Sequence, residues 1–170
     1  FLLDIKKAQG SYIYTTDNKK YIDLVAGVSS CSLGHCNPVV LKAIKNQLDL
    51  YGHVMVYGEF IQEPALKLAE SLAKYLPKKL NCTYFVNSGT EAIEGAIKLA
   101  KRKNGRKKII SCLHSYHGST QGSLSAIGDK KMQKNYRPLI PHHANIRYNN
   151  FEDLEVLQDD VAAIIIEPVQ

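Results

Sequence analysis

The 170-residue sequence has no CxxC pair, no apolar run near the ~20 residues of a membrane span, no Walker A loop and no GxGxxG turn. It also has no internal repeat and no low-complexity tract. Each absence removes a class. Its four cysteines, at 31, 36, 82 and 112, read as free thiols in a reducing compartment rather than a disulfide framework. The run Cys31-Ser32-Leu33-Gly34-His35-Cys36 brings two sulfurs and an imidazole close, but no second pair with ligand spacing follows, so no metal site is expected. The longest purely apolar run is residues 161–166, and residues 1–9 lack a basic-then-apolar-then-small layout. A soluble, cytoplasmic protein with no membrane partner is the expectation. No aromatic residues interleave with Lys78-Lys79, Lys101-Arg102-Lys103 or Arg106-Lys107-Lys108, and a nucleic-acid partner is not expected.

What is present describes a globular chain. The composition is 45% apolar and 22% charged, and 22 Lys+Arg against 16 Asp+Glu leave +6. A core can form without metal or disulfides. The opening predicts a hairpin, with β-rich runs at 11–14 and 20–25 flanking the turn pair Asp17-Asn18. After a Gly/Ser/Cys-rich loop, Asn37-Pro38 opens a helix carrying Val39, Val40, Ala43, Ile44 and Leu48 at helical spacing. A second helix is predicted over 63–76, ended by Pro77.

From residue 82 strands and helices alternate: a strand at 83–86, a helix over 91–103, a strand at 108–112, a short helix over 151–157 and a strand at 161–166. That order is the signature of a parallel α/β sheet. The stretch 118–150 reads as a long irregular loop of the kind that carries function. A buried-type strand so close to Gln170, with no helix to return across it, leads to the expectation that the chain is a fragment of a longer protein.

The run Asn87-Ser88-Gly89-Thr90-Glu91 joins the end of a predicted strand to the start of a predicted helix. The first amides of such a helix lack internal partners, its dipole is positive there, and glycine admits close backbone approach, so a phosphate fits. The alternative is that Ser88 or Thr90 is simply an N-cap. The helix places Glu94 four residues before Lys98, in the order of a helical ion pair. Two more loops follow strand ends, His114-Ser115-Tyr116-His117-Gly118-Ser119-Thr120 and Glu167-Pro168. Ligands of open α/β sheets sit outside the carboxyl ends of the strands, so the three loops could line one pocket. Tyr116 could stack on a flat ligand, with His117 or Glu167 giving polar contacts.

Five stretches now carry a resemblance. They are Gly27 with Leu33-Gly34-His35-Cys36-Asn37-Pro38, Glu63-Pro64-Ala65-Leu66-Lys67-Leu68-Ala69-Glu70, Phe85-Val86-Asn87-Ser88-Gly89-Thr90-Glu91-Ala92-Ile93-Glu94-Gly95-Ala96-Ile97-Lys98-Leu99-Ala100-Lys101-Arg102, Ser115-Tyr116-His117-Gly118-Ser119-Thr120, and Ile166-Glu167-Pro168-Val169-Gln170. Together, in this order, the sequence resembles the class III (ω-amino) aminotransferases, pyridoxal-phosphate enzymes of fold type I, and within them the acetylornithine/ornithine branch. The resemblance implies a small-domain β/α segment over residues 1–50 and the first part of a cofactor-binding large domain over 51–170. It implies pyridoxal 5'-phosphate held by Ser88, Gly89 and Thr90 at the phosphate, Tyr116 stacked on the ring, His117 and Gly118 completing that loop, and Glu167 near the ring. It implies transfer of an amino group from an ornithine-type or other ω-amino donor to 2-oxoglutarate, in a homodimer.

Acetylornithine members usually carry Phe-His-Gly-Arg-Thr where this chain has Tyr116-His117-Gly118-Ser119-Thr120, and Asn where Ile93 stands. These departures bear on the substrate rather than the cofactor. The family's Schiff-base lysine and the acid facing the pyridine nitrogen lie beyond the Glu-Pro element, so no catalytic residue is assigned and the 170-residue chain alone is expected to be inactive. Other readings are an aminomutase or decarboxylase of the same fold type, or a non-catalytic phosphate-binding domain.

Overall fold

The computed structural model describes residues 2–169, which form two compact units divided between Ser71 and Leu72. The first unit opens with an antiparallel sheet of β1 (Ile5–Gln9), β2 (Tyr12–Thr15) and β3 (Lys20–Ile22) in that order. The expected hairpin is β2–β3, and β1 adds a third strand. A kinked turn, α1 (Ala26–Ser29), leads to α2 (Pro38–Leu50). Asn37 caps α2, its Oδ1 accepting from Val39 N at 3.0 Å, with Pro38 supplying the fixed φ of a first helical turn. Helix α3 (Glu63–Tyr75) crosses the division between the units. His35 Nε2 lies 2.6 Å from Asp23 Oδ2, and that hydrogen bond, followed by the amide of Ala26, holds the Asp23 carboxyl below its ordinary pKa. The cysteines are free thiols.

The second unit contains α4 (Gly89–Asn104), β4 (Lys108–Cys112), α5 (Gln121–Ala126), α6 (Lys130–Gln133), β5 (His143–Ile146) and β6 (Val161–Ile165). Its sheet is parallel, with β4 between β5 and β6. Alternation on β4 separates two small cores. Ile109 packs with Ile97 of α4 and Ala126 of α5, while Ile110 and Cys112 pack with Ile146. Because Cys112 is paired with Ile146 and Ser111 with Ile165, the three strands end together, and the loops that follow them share one edge of the sheet.

Three expectations are corrected. Residues 83–86 form no strand, since a strand exists only by ladder pairing and this segment has no partner among the described residues; Tyr84 is 81% exposed. The stretch 118–150 is not an irregular loop but holds α5, α6, a 3-10 turn at Lys134–Tyr136 and β5. The predicted ion pair of Glu94 with Lys98 is absent among the described residues, because the Glu94 carboxylate turns instead to the start of α5.

Candidate functional site

The N-terminus of α4 is built by its own sequence. Ser88 is the N-cap, extended at φ −152°, ψ 160°, and its Oγ accepts from Glu91 N at 3.3 Å. Glu91 reciprocates by accepting from Asn87 N at 2.6 Å. Of the two sequence readings of this run, the structure shows the N-cap at Ser88; the N–H groups of Gly89 and Thr90 have no hydrogen-bond partner among the described residues. A Cβ built on Gly89 meets nothing within 4 Å. At the other end of α4, Gly105 closes the helix in the left-handed conformation after Lys101, Arg102 and Lys103.

Facing these amides is the loop after β4. Ser88, Gly89, Thr90, Ala92, Ile93, Tyr116, His117, Gly118 and Ser119 line one open cleft of about 630 Å³. Six of the seven predicted site residues are thus brought together. The seventh, Glu167, stands behind the loop and supports it. Its Oε1 accepts from Tyr116 N at 2.7 Å and lies 3.8 Å from His117 Nδ1. The Tyr116 ring is exposed, whereas the His117 side chain is only 3% exposed. Burial pushes the His117 pKa down and Glu167 opposes that push only in part, which favours the uncharged imidazole. Its Nε2 is buried without a hydrogen-bond partner among the described residues.

The strand-end loops are also tied to one another. Tyr148 OH, just past β5, donates to the Pro168 carbonyl at 3.0 Å, past β6. Arg147 grips Asp153 through Nε at 3.1 Å, and its hydrogen bonds hold the Asp153 carboxyl down to about 2. Arg147 is therefore engaged within the fold rather than held ready for an anion. Gly118, at φ +125°, lies so close to α4 that a Cβ there would come within 2.6 Å of Thr90 Cβ.

The cleft thus sets amides at a helix start beside an aromatic loop at the carboxyl edge of a parallel sheet. The family model for aminotransferase class III matches residues 1–170. The chain belongs to the class III aminotransferases. It is 37% identical to an acetylornithine aminotransferase of Methanopyrus kandleri, over all of this chain and 43% of that protein. It is 36% identical to a [LysW]-aminoadipate semialdehyde/glutamate semialdehyde transaminase of Sulfolobus acidocaldarius, over 99% of this chain and 43% of that one. Its fold matches a transaminase from the marine bacterium Virgibacillus with a TM-score of 0.90 at 28% identity, covering 100% of this chain and 42% of that structure. It also matches taurine:2-oxoglutarate aminotransferase of Bifidobacterium kashiwanohense, solved with PLP and glutamate, with a TM-score of 0.84 at 30% identity over 98% and 43% of the two chains. The chain thus spans less than half the length of these relatives.

Within this class III aminotransferase chain, sequence reasoning missed the residues that hold the cleft together. Glu94 Oε1 accepts from Gly122 N at 2.8 Å, Ser123 N at 3.1 Å and Thr120 Oγ1 at 2.5 Å. Burial pushes the Glu94 carboxyl up, but these three hydrogen bonds outweigh it and leave the pKa below its ordinary value. The available signal was Gly122, which packs directly against the Glu94 carboxylate.

Proposed function

We propose that this chain forms the cofactor cradle of a pyridoxal-phosphate-dependent aminotransferase that moves an amino group from an ω-amino donor of the ornithine type to 2-oxoglutarate. The observation that carries the reading is the pair of amides at Gly89 and Thr90, without partners among the described residues, in one cleft with the exposed ring of Tyr116. The residues fit the cofactor. The positive end of α4 suits a phosphate, the open space at Gly89 admits it, and the buried Nε2 of His117 gives the cleft an unspent polar atom.

In this reading the Gly89 and Thr90 N–H groups and the Ser88 hydroxyl bind the phosphate. Tyr116 covers one face of the ring, and Gly118 lets the loop close on α4. Glu167 holds the Tyr116 main chain, and the buried His117 lies beside it. Bound pyridoxal phosphate supplies the electron sink that amino transfer requires. No lysine lines the cleft among the described residues, so we expect no amino transfer by the 170-residue chain alone. We assign residues 1–50 to a small-domain segment and 51–170 to the large domain of a complete, cytoplasmic, homodimeric enzyme. No described helix is long and apolar enough to cross a membrane.

A second reading concerns the donor. Ile93 and Ser119 both line the cleft, where acetylornithine members usually carry Asn and Arg, which favours a different ω-amino substrate. The test uses the complete protein with pyridoxal phosphate and 2-oxoglutarate, following glutamate formed from N-acetylornithine, ornithine and simpler ω-amines. Turnover of the first two supports the first reading, and turnover of the others alone supports the second. Absence of cofactor binding overturns both.

A further inference from the structure

The hydroxyl of Thr90 is spent inside the fold. It lies 2.6 Å from Ser123 Oγ and 2.9 Å from Thr120 Oγ1, and it accepts from Thr120 N at 3.3 Å. A hydroxyl offers one donor and two acceptor sites, so three contacts exhaust it. Glu94 stands four residues on, one turn along the same face of α4, and its Oε1 receives the three donors at the start of α5. Two glycines complete the fit. Gly118 sits against Thr90 and Ser123, and Gly122 against Glu94, each at a distance that leaves no room for a Cβ.

We propose that Thr90 and Glu94 are positioning residues: a two-point latch that locks the segment from Gly118 to Ser123 onto α4 and so sets Tyr116 and His117 over the helix N-terminus. The inference rests on the reading of the cleft as a pyridoxal-phosphate cradle, and it divides the labour within that cradle. Thr90 contributes its main-chain N–H to the ligand and its side chain to the latch. Phosphate affinity then depends on the α4 amides, whereas placement of the aromatic loop depends on the latch.

The complete protein tests this with Glu94→Ala, Glu94→Gln, Thr120→Val and Tyr116→Ala, titrated with pyridoxal phosphate and, separately, with inorganic phosphate as a competitor. Losing hydrogen bonds to a charged acceptor is expected to weaken pyridoxal phosphate about tenfold in Glu94→Ala while moving inorganic phosphate less than about twofold. Glu94→Gln, which keeps an acceptor oxygen, recovers most of that loss. In a Tyr116→Ala background Glu94→Ala adds little, because both changes act through one loop, and the near-ultraviolet circular dichroism of the bound cofactor changes alike in the two single variants. Additive losses, or equal weakening of both ligands, overturn the latch. Thr120→Val repeats the measurement should Glu94→Ala fold poorly. Failure of the wild-type protein to bind pyridoxal phosphate overturns the cradle reading instead, and is seen before any variant is made.

Discussion

The main-chain N–H of Tyr116 donates to Glu167 Oε1 at 2.7 Å, joining the loop after β4 to the loop after β6. Because the acceptor is a carboxylate, its removal is expected to cost about 1–2 kcal/mol in loop placement, or roughly tenfold in cofactor retention. Glu167→Gln keeps an acceptor oxygen and loses less. Glu167 also raises the His117 pKa against the larger downward push of burial, so Glu167→Ala moves the His117 titration to lower pH. Imidazole proton resonances recorded against pH in the complete protein check this. An unmoved His117 titration contradicts the assignment.

His143 sits at the start of β5 with both ring nitrogens buried and without hydrogen-bond partners among the described residues. Burial, followed by the positive charge of Lys101, holds its pKa to about 4 against an ordinary 6.5, with Glu94 opposing and His142 adding to the depression. The fold keeps His143 neutral, while the unfolded chain takes up a proton as pH falls through its ordinary value. Its share of stability is therefore fully present above pH 6.5 and shrinks as pH falls towards about 4. Urea unfolding midpoints measured across that window should fall with pH, and His143→Phe should flatten the slope. An unchanged slope in the variant assigns the acid sensitivity elsewhere.

What could be read from the sequence was what local chemistry fixes. Helix α2 follows from Asn37-Pro38 and apolar spacing, α4 from the Ser88 cap and the acidic start and basic end, and β4 from its apolar run. What could not be read was fixed from outside the segment. Helix α5 has the sequence Gln-Gly-Ser-Leu-Ser-Ala, weak in helix formers, and its first turn is held by Glu94 from α4. Strand β5, His-Ala-Asn-Ile, has one β-branched residue and is extended because β4 pairs with it. The pattern at 83–86 misled in the opposite sense, since a β-rich run is a strand only beside a partner. For the cleft, the motifs marked which residues meet, and the geometry showed that Thr90 and Glu94 meet the α5 region rather than solvent.

Ile110, fully buried at 0% exposure, lies on the central strand and packs with Cys112 and Ile146. Truncation to alanine leaves a cavity between packed strands and is expected to cost about 3 kcal/mol. Ile164, its register partner on β6, is 40% exposed, and its truncation should cost under about 1.5 kcal/mol. Chemical denaturation of the two variants in the complete protein ranks them, and equal losses would show that β6 carries as much of the core as β4.

Gly89 and Gly118 line the same cleft but answer substitution differently. A Cβ on Gly89 meets nothing within 4 Å, so Gly89→Val leaves the protein folded. The added side chain would occupy open space in the cleft at the start of α4, so under the proposed phosphate position retention of pyridoxal phosphate through dialysis should be lost. Gly118 stands at φ +125° with Thr90 Cβ 2.6 Å from where a Cβ would be. Gly118→Ala must therefore displace the loop or α4, costing about 1–3 kcal/mol of stability as well as affinity. Thermal unfolding of the apoprotein separates the two: the midpoint falls for Gly118→Ala and holds for Gly89→Val. Tyr116→Ala, which removes the ring proposed to stack on the cofactor but leaves the amides open, should weaken retention less than Gly89→Val. If Gly89→Val retains the cofactor at near wild-type level, the phosphate does not sit at the start of α4, and the cradle must be sought elsewhere in the protein.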